Sequence, residues 1–229
     1  AGWVGAKLVA AEATEAGQVP AALRQLQQQG VLHVVLELPA DGVVAATGAG
    51  SDLILFNAAA PEDALRGAQC GPRLLHTLPS HAMQMDAIAQ GLVARKWNRP
   101  LVLHGPLPGD RLLLDAWHRS AKRFGLKPVA EKPFKLSNDP RERDLGNVRL
   151  LTAEREYDAV VVLDSDGEFA RELPYRTVLP RPVVGSNGVT AEAWSPFFER
   201  YGAPQLSRRF QRRAQRPMTS YDWATWVAA

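Results

Sequence analysis

Five histidines, His33, His76, His81, His104 and His118, are the first candidates for acid–base or metal chemistry, and their spacing favours neither. No two stand four residues apart on one helix with a carboxylate between them, the arrangement that turns a helix face into a zinc protease site. His33 and His76 fall inside strand-like apolar runs, where an imidazole is ordinarily a hydrogen-bonded core group. His104 instead ends a strand and can face a ligand. A nucleophile is equally hard to place. Gly50-Ser51-Asp52 and Gly185-Ser186-Asn187 lack the second glycine of a Gly-x-Ser-x-Gly elbow, and Cys70 has no recognised activating setting. Gly48-Ala49-Gly50 precedes a strand rather than following one, and no Gly-Lys-Ser or Gly-Lys-Thr occurs, so a nucleotide cofactor has no anchor. Asp164-Ser165-Asp166-Gly167 has the opening of a calcium loop without its full spacing or terminal Glu. The pattern predicts no catalytic residue, no metal and no cofactor. It leaves binding.

Ligands meet parallel sheets at the carboxyl ends of their strands. Applied to this chain, that rule selects Glu37, Asn57, Ala59, His104, Asp164, Ser186 and Asn187. Asp164 ends the clearest strand in the sequence. Asn57 offers both a donor and an acceptor, and Ala58 and Ala59 let a ligand approach the backbone.

The elements that must position these residues alternate between strand and helix. Lys7 to Ala11 reads as a short strand, and Pro20 opens a helix through Leu23 and Leu26 that stops at Gly30. Leu32 to Leu36 and Asp52 to Phe56 read as central parallel strands joined by a short crossover over Ala40 to Gly48. Leu74 to Thr77 is a further strand. Ser80 caps a helix whose predicted inner stripe is Met83, Ala87, Leu92 and Trp97. After Asn98-Arg99-Pro100 a second unit begins with the strand Leu101 to His104, and Asp110 caps a helix ending at Gly125. Strands follow over Lys127 to Phe134, Tyr157 to Asp164 and Pro182 to Gly185; helices follow over Trp194 to Tyr201, Pro204 to Arg213 and Ser220 to Ala229. This alternation implies an α/β fold, with parallel sheets covered by helices on both faces.

With 46% apolar and 22% charged residues, the 229-residue chain can bury a full core, and no stretch approaches a membrane span. The part up to Asn98 carries six basic and eight acidic residues, and the part from Arg99 carries 21 and 16. Arg208, Arg209, Arg212, Arg213 and Arg216 recur by three and four and would line one helix face. Without stacking aromatics or a reading module they do not predict a nucleic-acid partner. Cys70, the single cysteine, can form no internal disulfide and is expected free and partly buried. The opening Ala1-Gly2-Trp3 shows neither an initiator Met nor a signal peptide, so the chain is expected to be processed, trimmed or partial.

The order Pro20 to Gly30, the Leu32 strand, Phe56-Asn57-Ala58-Ala59-Ala60, Leu78-Pro79-Ser80, and a helix closing at Trp97 before the Leu101 strand resembles the type I periplasmic binding proteins, notably the branched-chain amino acid receptors of ABC importers. The strings Phe56 to Arg66, Ser120-Ala121-Lys122-Arg123-Phe124-Gly125, Leu173-Pro174-Tyr175-Arg176-Thr177 and Pro180-Arg181-Pro182-Val183-Val184-Gly185 resemble the substrate-binding-like protein associated with PQQ-dependent (quinoprotein) alcohol catabolism. The resemblance implies a two-lobed fold, residues 1–98 and a returning helix 219–229 in the first lobe and 99–218 in the second, with a hinged interlobe cleft. It implies a periplasmic protein that hands a small organic ligand to an ABC permease and inserts in no membrane. It adds Pro39, Ala40 and Pro106 to the ligand-binding candidates. Pro39-Ala40 and Ala59 stand where the family's Ser and Thr receive an amino acid carboxylate, so that clamp is not evident. It further implies that an opening strand and helix, a return into the first lobe, and a partner for Cys70 lie outside this sequence.

Two other functions stay open. His104 beside Asp164 would be the seed of an enzyme on the same scaffold. A structural or regulatory protein that has lost its ligand clamp would use the Arg208 to Arg216 face for docking.

Overall fold

The computed structural model describes residues 7–50, 52–186, 189–198 and 202–229. It divides into two compact units, Ala1–Ser80 with Ala193–Ala229, and His81–Glu192. Helix residues before Asn98 share their core with the second unit.

In the first unit, β1 (His33–Leu36), β2 (Ile54–Asn57) and β3 (Leu74–His76) form a parallel sheet in that order. The register sets His33 beside Ile54 and Asn57 beside His76. Helix α1 (Val19–Gln28) starts with Pro20 in its first turn, where a missing N–H costs nothing, and buries Val19, Leu23 and Leu26 at helical spacing. The crossover from β1 to β2 is itself a helix, α2 (Ala40–Gly48), burying Val43 and Ala46. These side chains share one core with Leu36, Leu53, Leu55, Leu65 and Leu74. Helices α7 (Ala203–Ala214) and α8 (Ser220–Ala228) belong to the same unit and close a smaller cluster of Trp194, Ala203 and Met218.

In the second unit the parallel sheet runs β5 (Ala130–Pro133), β4 (Pro100–His104), β6 (Ala159–Leu163), β7 (Val183–Gly185). All five residues of β6 are buried, and they alternate between two cores. Ala159, Val161 and Leu163 join Val102 under α3 (His81–Ala94) and α4 (Pro108–Phe124). Val160 and Val162 join Leu101, Leu103, Tyr157 and Phe169 on the other face, with α5 (Val148–Leu151) and α6 (Leu173–Arg176). A sheet covered on both faces needs this nearly continuous apolar strand. Asp86 on α3 ties to α4 through Ser120 Oγ (2.7 Å) and Arg123 (2.8 Å).

Several local expectations are corrected. Lys7 to Ala11 is not a strand: it pairs with none of the described strands, and Leu8 is 85% exposed. The inner face of α3 is Met85, Ile88, Ala89 and Leu92; Met83 and Ala87 point outward, and only Leu92 and the half-buried Trp97 survive from the predicted stripe. Residues 194–198 form no helix. His33, expected in the core, is exposed on the edge strand, and Cys70 is exposed rather than partly buried. No helix among the described residues is long and apolar enough to cross a membrane.

Candidate functional site at the carboxyl edges of the two sheets

At the end of β1 the chain runs through Glu37 and Leu38 into Pro39, whose extended backbone precedes the first residue of α2, Ala40. Glu37 is already engaged, its Oε1 accepting from Thr225 Oγ on α8 at 2.7 Å. At the end of β2, Asn57 is fully buried and organises the whole loop. Its Oδ1 accepts from the amides of Ala59 (3.2 Å) and Ala60 (2.9 Å). Those two donors fix the amide's orientation, so its Nδ2 donates both to the Ala60 carbonyl (2.7 Å) and to His76 Nδ1 (3.0 Å). His76 must therefore carry its proton on Nε2. The ring is held below the usual imidazole range by burial and then by the Arg66 charge, against a backbone hydrogen bond at Leu65. Asn57 thus spends both its donor and its acceptor on holding Ala59 and Ala60 in place.

In the second unit, β4 ends at His104, half-buried, with Nδ1 3.4 Å from the Gly105 carbonyl. The loop through the exposed Pro106 is fastened by Asp110, third residue of α4 and 1% exposed. Asp110 Oδ2 accepts from the Leu107 amide (2.8 Å), closing the helix start. Its Oδ1 accepts from Ser165 N (2.6 Å) and Ser165 Oγ (2.7 Å) across from the next strand. Asp164, at the end of β6 and 3% exposed, accepts the Ala170 amide on Oδ2 (2.8 Å), and its own N–H donates to Ser186 Oγ (2.8 Å). Burial pushes the Asp164 carboxyl up to about 6; the Ala170 amide opposes this, and Asp166 and Asp110 add to it. Exposed Asp166 moves the other way, held low first by the Glu168 amide. Ser186 also donates from Oγ to the Val162 carbonyl (3.1 Å). Asn187 lies outside the described residues.

The structure therefore gathers Glu37, Pro39, Ala40, Asn57, Ala58 and Ala59 at one carboxyl edge, and His104, Pro106, Asp164 and Ser186 at the other. Asp110 joins its two loops over 55 residues of sequence, which the sequence reading reduced to a helix cap. Two glycines carried the missed signal. A Cβ at Gly109 would sit 2.7 Å from Ser165 Oγ, and one at Gly105 would collide with the Asp110 carboxyl. No hydrogen bond joins His104 to Asp164 among the described residues, and no group of three His, Cys, Asp or Glu there can hold a metal ion.

No family model matches the chain, and no curated protein matches it. Solved structures do. An ABC transporter substrate-binding protein from Desulfitobacterium hafniense superposes with a TM-score of 0.70 at 15% identity, covering 96% of this chain and 68% of its own. A leucine-, isoleucine-, valine-, threonine- and alanine-binding protein from Brucella ovis gives 0.72 at 12% identity, covering 93% and 61%. A solute-binding protein from Rhodopseudomonas palustris, solved with 3,4-dihydroxybenzoic acid, gives 0.68 at 13% identity, covering 96% and 66%. The chain thus spans about two thirds of the length of these proteins, and at such identities the likeness speaks for architecture. Two parallel sheets flanked by helices, in this element order, are the two-lobed type I periplasmic-binding-protein fold.

Proposed function

We propose that the chain is the ligand-capturing part of a periplasmic solute-binding protein that serves an ABC importer and its membrane permease, binding a small organic molecule without turning it over. The observation that carries this reading is the loop architecture at the carboxyl edges. Each edge is fastened by one buried polar hub, Asn57 or Asp110, that immobilises backbone around small or flat residues. Pre-formed loops of this kind lower the ordering cost of capture. Glu37, Pro39, Ala40 and Ala59 are the proposed contacts of the first edge; His104, Pro106, Asp164 and Ser186 are those of the second.

The proposed ligand class is small organic rather than strictly amino acid. The amides of Ala59 and Ala60 are occupied by Asn57, and Pro39-Ala40 supplies no hydroxyl, so an α-carboxylate finds no ready clamp at this edge. Similar folds are recorded with leucine and with 3,4-dihydroxybenzoic acid, which spans that range. A link to quinoprotein-dependent alcohol catabolism is the narrower form of the proposal, supported by the strings around Phe56 and Pro180. Isothermal calorimetry against leucine, benzoates, short alcohols and quinone cofactors tests it. One class should bind saturably, with affinity reduced by Ala59→Leu or Asp164→Ala; heat-silent titrations throughout would remove the reading.

A further inference from the structure

The outer face of α7 holds none of the residues proposed to contact ligand. Arg208, Arg209, Arg212 and Arg213 are all exposed, and no ion pair engages any of them among the described residues. What sets them apart is their clustering, four arginines on one 12-residue helix. Several other exposed arginines are paired: Arg73 with Asp52, Arg99 with Glu156, Arg123 with Asp86 and Arg176 with Glu172. The fifth arginine of the same run, Arg216, lies beyond the helix and is spent internally. It grips Asp222 through two 2.7 Å bonds and lies 4.9 Å over the Phe210 ring.

Local physics works against leaving the other four as they are. Arg208 with Arg212 and Arg209 with Arg213 are like charges one turn apart, each pair costing a helix roughly 0.2–0.5 kcal/mol. No acidic residue occurs from Gly202 to Tyr221 to relieve them. Only Arg212 and Arg213 lie in the last turn, where the helix dipole favours cations. The helix is nevertheless held firmly, because Ala203, Leu206 and Phe210 pack with Trp194, Met218 and Trp223. A shallow depression of about 700 Å³ runs along the face, lined by Gln205, Arg208, Arg209, Gln211, Arg212 and Gln215.

We propose that this face docks an acidic protein surface, its guanidinium forks pairing with carboxylates and its glutamines hydrogen-bonding between them. Arginine suits this use better than lysine, since its planar fork meets a carboxylate through two parallel bonds. The face carries no aromatic side chain on which a base would stack and no large apolar side chain to enter a bilayer, so nucleic acid and lipid fit it less well.

The experiment uses the full chain and a fluorescein-labelled octaglutamate peptide, read by anisotropy at low and near-physiological salt. The protein should bind, less tightly as salt rises. Replacing all four arginines with glutamine should weaken binding roughly tenfold or more. Replacing them with lysine should restore only part of it, and Arg141→Gln with Arg143→Gln should change it less than about twofold. Circular dichroism and ligand calorimetry on the same variants separate loss of docking from loss of fold or of ligand capture. Absent peptide binding, an unchanged glutamine variant, full rescue by lysine, or tighter binding to phosphatidylglycerol vesicles or a single-stranded oligonucleotide would each overturn the assignment.

Discussion

The two carboxyl edges solve one problem with different chemistry. At the first, a neutral amide, Asn57, holds its own loop over three residues and reaches His76 on the neighbouring strand. At the second, a buried carboxyl, Asp110, holds two loops that come from distant parts of the chain, beside a second buried carboxyl, Asp164. Beside the neutral hub the group with a shifted titration is His76; a hub surrounded by acids makes the second edge respond through Asp164. Their responses have opposite sign. Burial and Arg66 disfavour the charged His76, so the first edge loses stability as pH falls below the ordinary imidazole value. Burial disfavours the charged Asp164, so the second loses stability as pH rises from about 4 through about 6.

The largest effects should come from removing the hubs, and the carboxyl hub, accepting three bonds against two, should cost more. Asp110→Ala strips the acceptor from Leu107 N, Ser165 N and Ser165 Oγ, three part-buried bonds to one carboxyl, an expected loss of about 2–4 kcal/mol. Asn57→Ala strips the acceptor from Ala59 N and Ala60 N, for about 1–3 kcal/mol. Urea unfolding gives the totals, and amide hydrogen exchange assigns them: Leu107 and Ser165 should open in the first variant, Ala59 and Ala60 in the second. Exchange that quickens equally at all four amides in both variants would break the comparison, since neither hub would then be local.

How these hubs stayed partly hidden in the sequence is instructive. The fold was readable because β6 is an unbroken apolar run, Gly125 ends α4 in a left-handed conformation, and Pro20 opens α1; each signal is carried by neighbouring residues. Asn57 was recognisable as a strand-end residue for the same reason. Its engagement was not, because one partner lies 19 residues away on β3. Asp110 and Ser165, 55 residues apart, leave no local trace except the glycines they crowd. The stripe on α3 was misplaced because Met83 and Met85 are interchangeable by composition, and only packing against Trp117 and its neighbours selects Met85. Lys7 to Ala11 has strand composition, but a strand is defined by a paired neighbour.

A smaller effect, opposite in sign to the hub deletions, is expected from Asp164→Asn. Asparagine can still accept the Ala170 amide, yet it carries no charge to bury. The wild-type carboxyl, raised from 3.8 to about 6 chiefly by burial, weakens the folded state as pH rises from about 4 through about 6. The variant should therefore be more stable than wild type at pH 7.5, and equal to it near pH 4. Unfolding free energies at the two pH values decide the matter. A wild type and variant that differ equally at both would show that the buried carboxyl is not the titrating group.

The smallest expected effect isolates the first edge. His76 Nδ1 takes one of the two Asn57 Nδ2 hydrogens, while the Ala60 carbonyl takes the other. His76→Leu leaves one buried amide hydrogen unpaired, a cost of about 1–2 kcal/mol. His76→Gln can return an acceptor at nearly the same reach and should cost less than about 1 kcal/mol. Neither variant can be protonated, so both should lose the wild type's decline in Ala59 and Ala60 protection as pH drops below about 6.5. Exchange at Ala170 should keep its opposite pH response, because it depends on Asp164. The assignment fails if His76→Leu leaves the Ala59 and Ala60 pH profile intact. The decline would then come from another group, and the neutral hub would owe nothing to its imidazole neighbour.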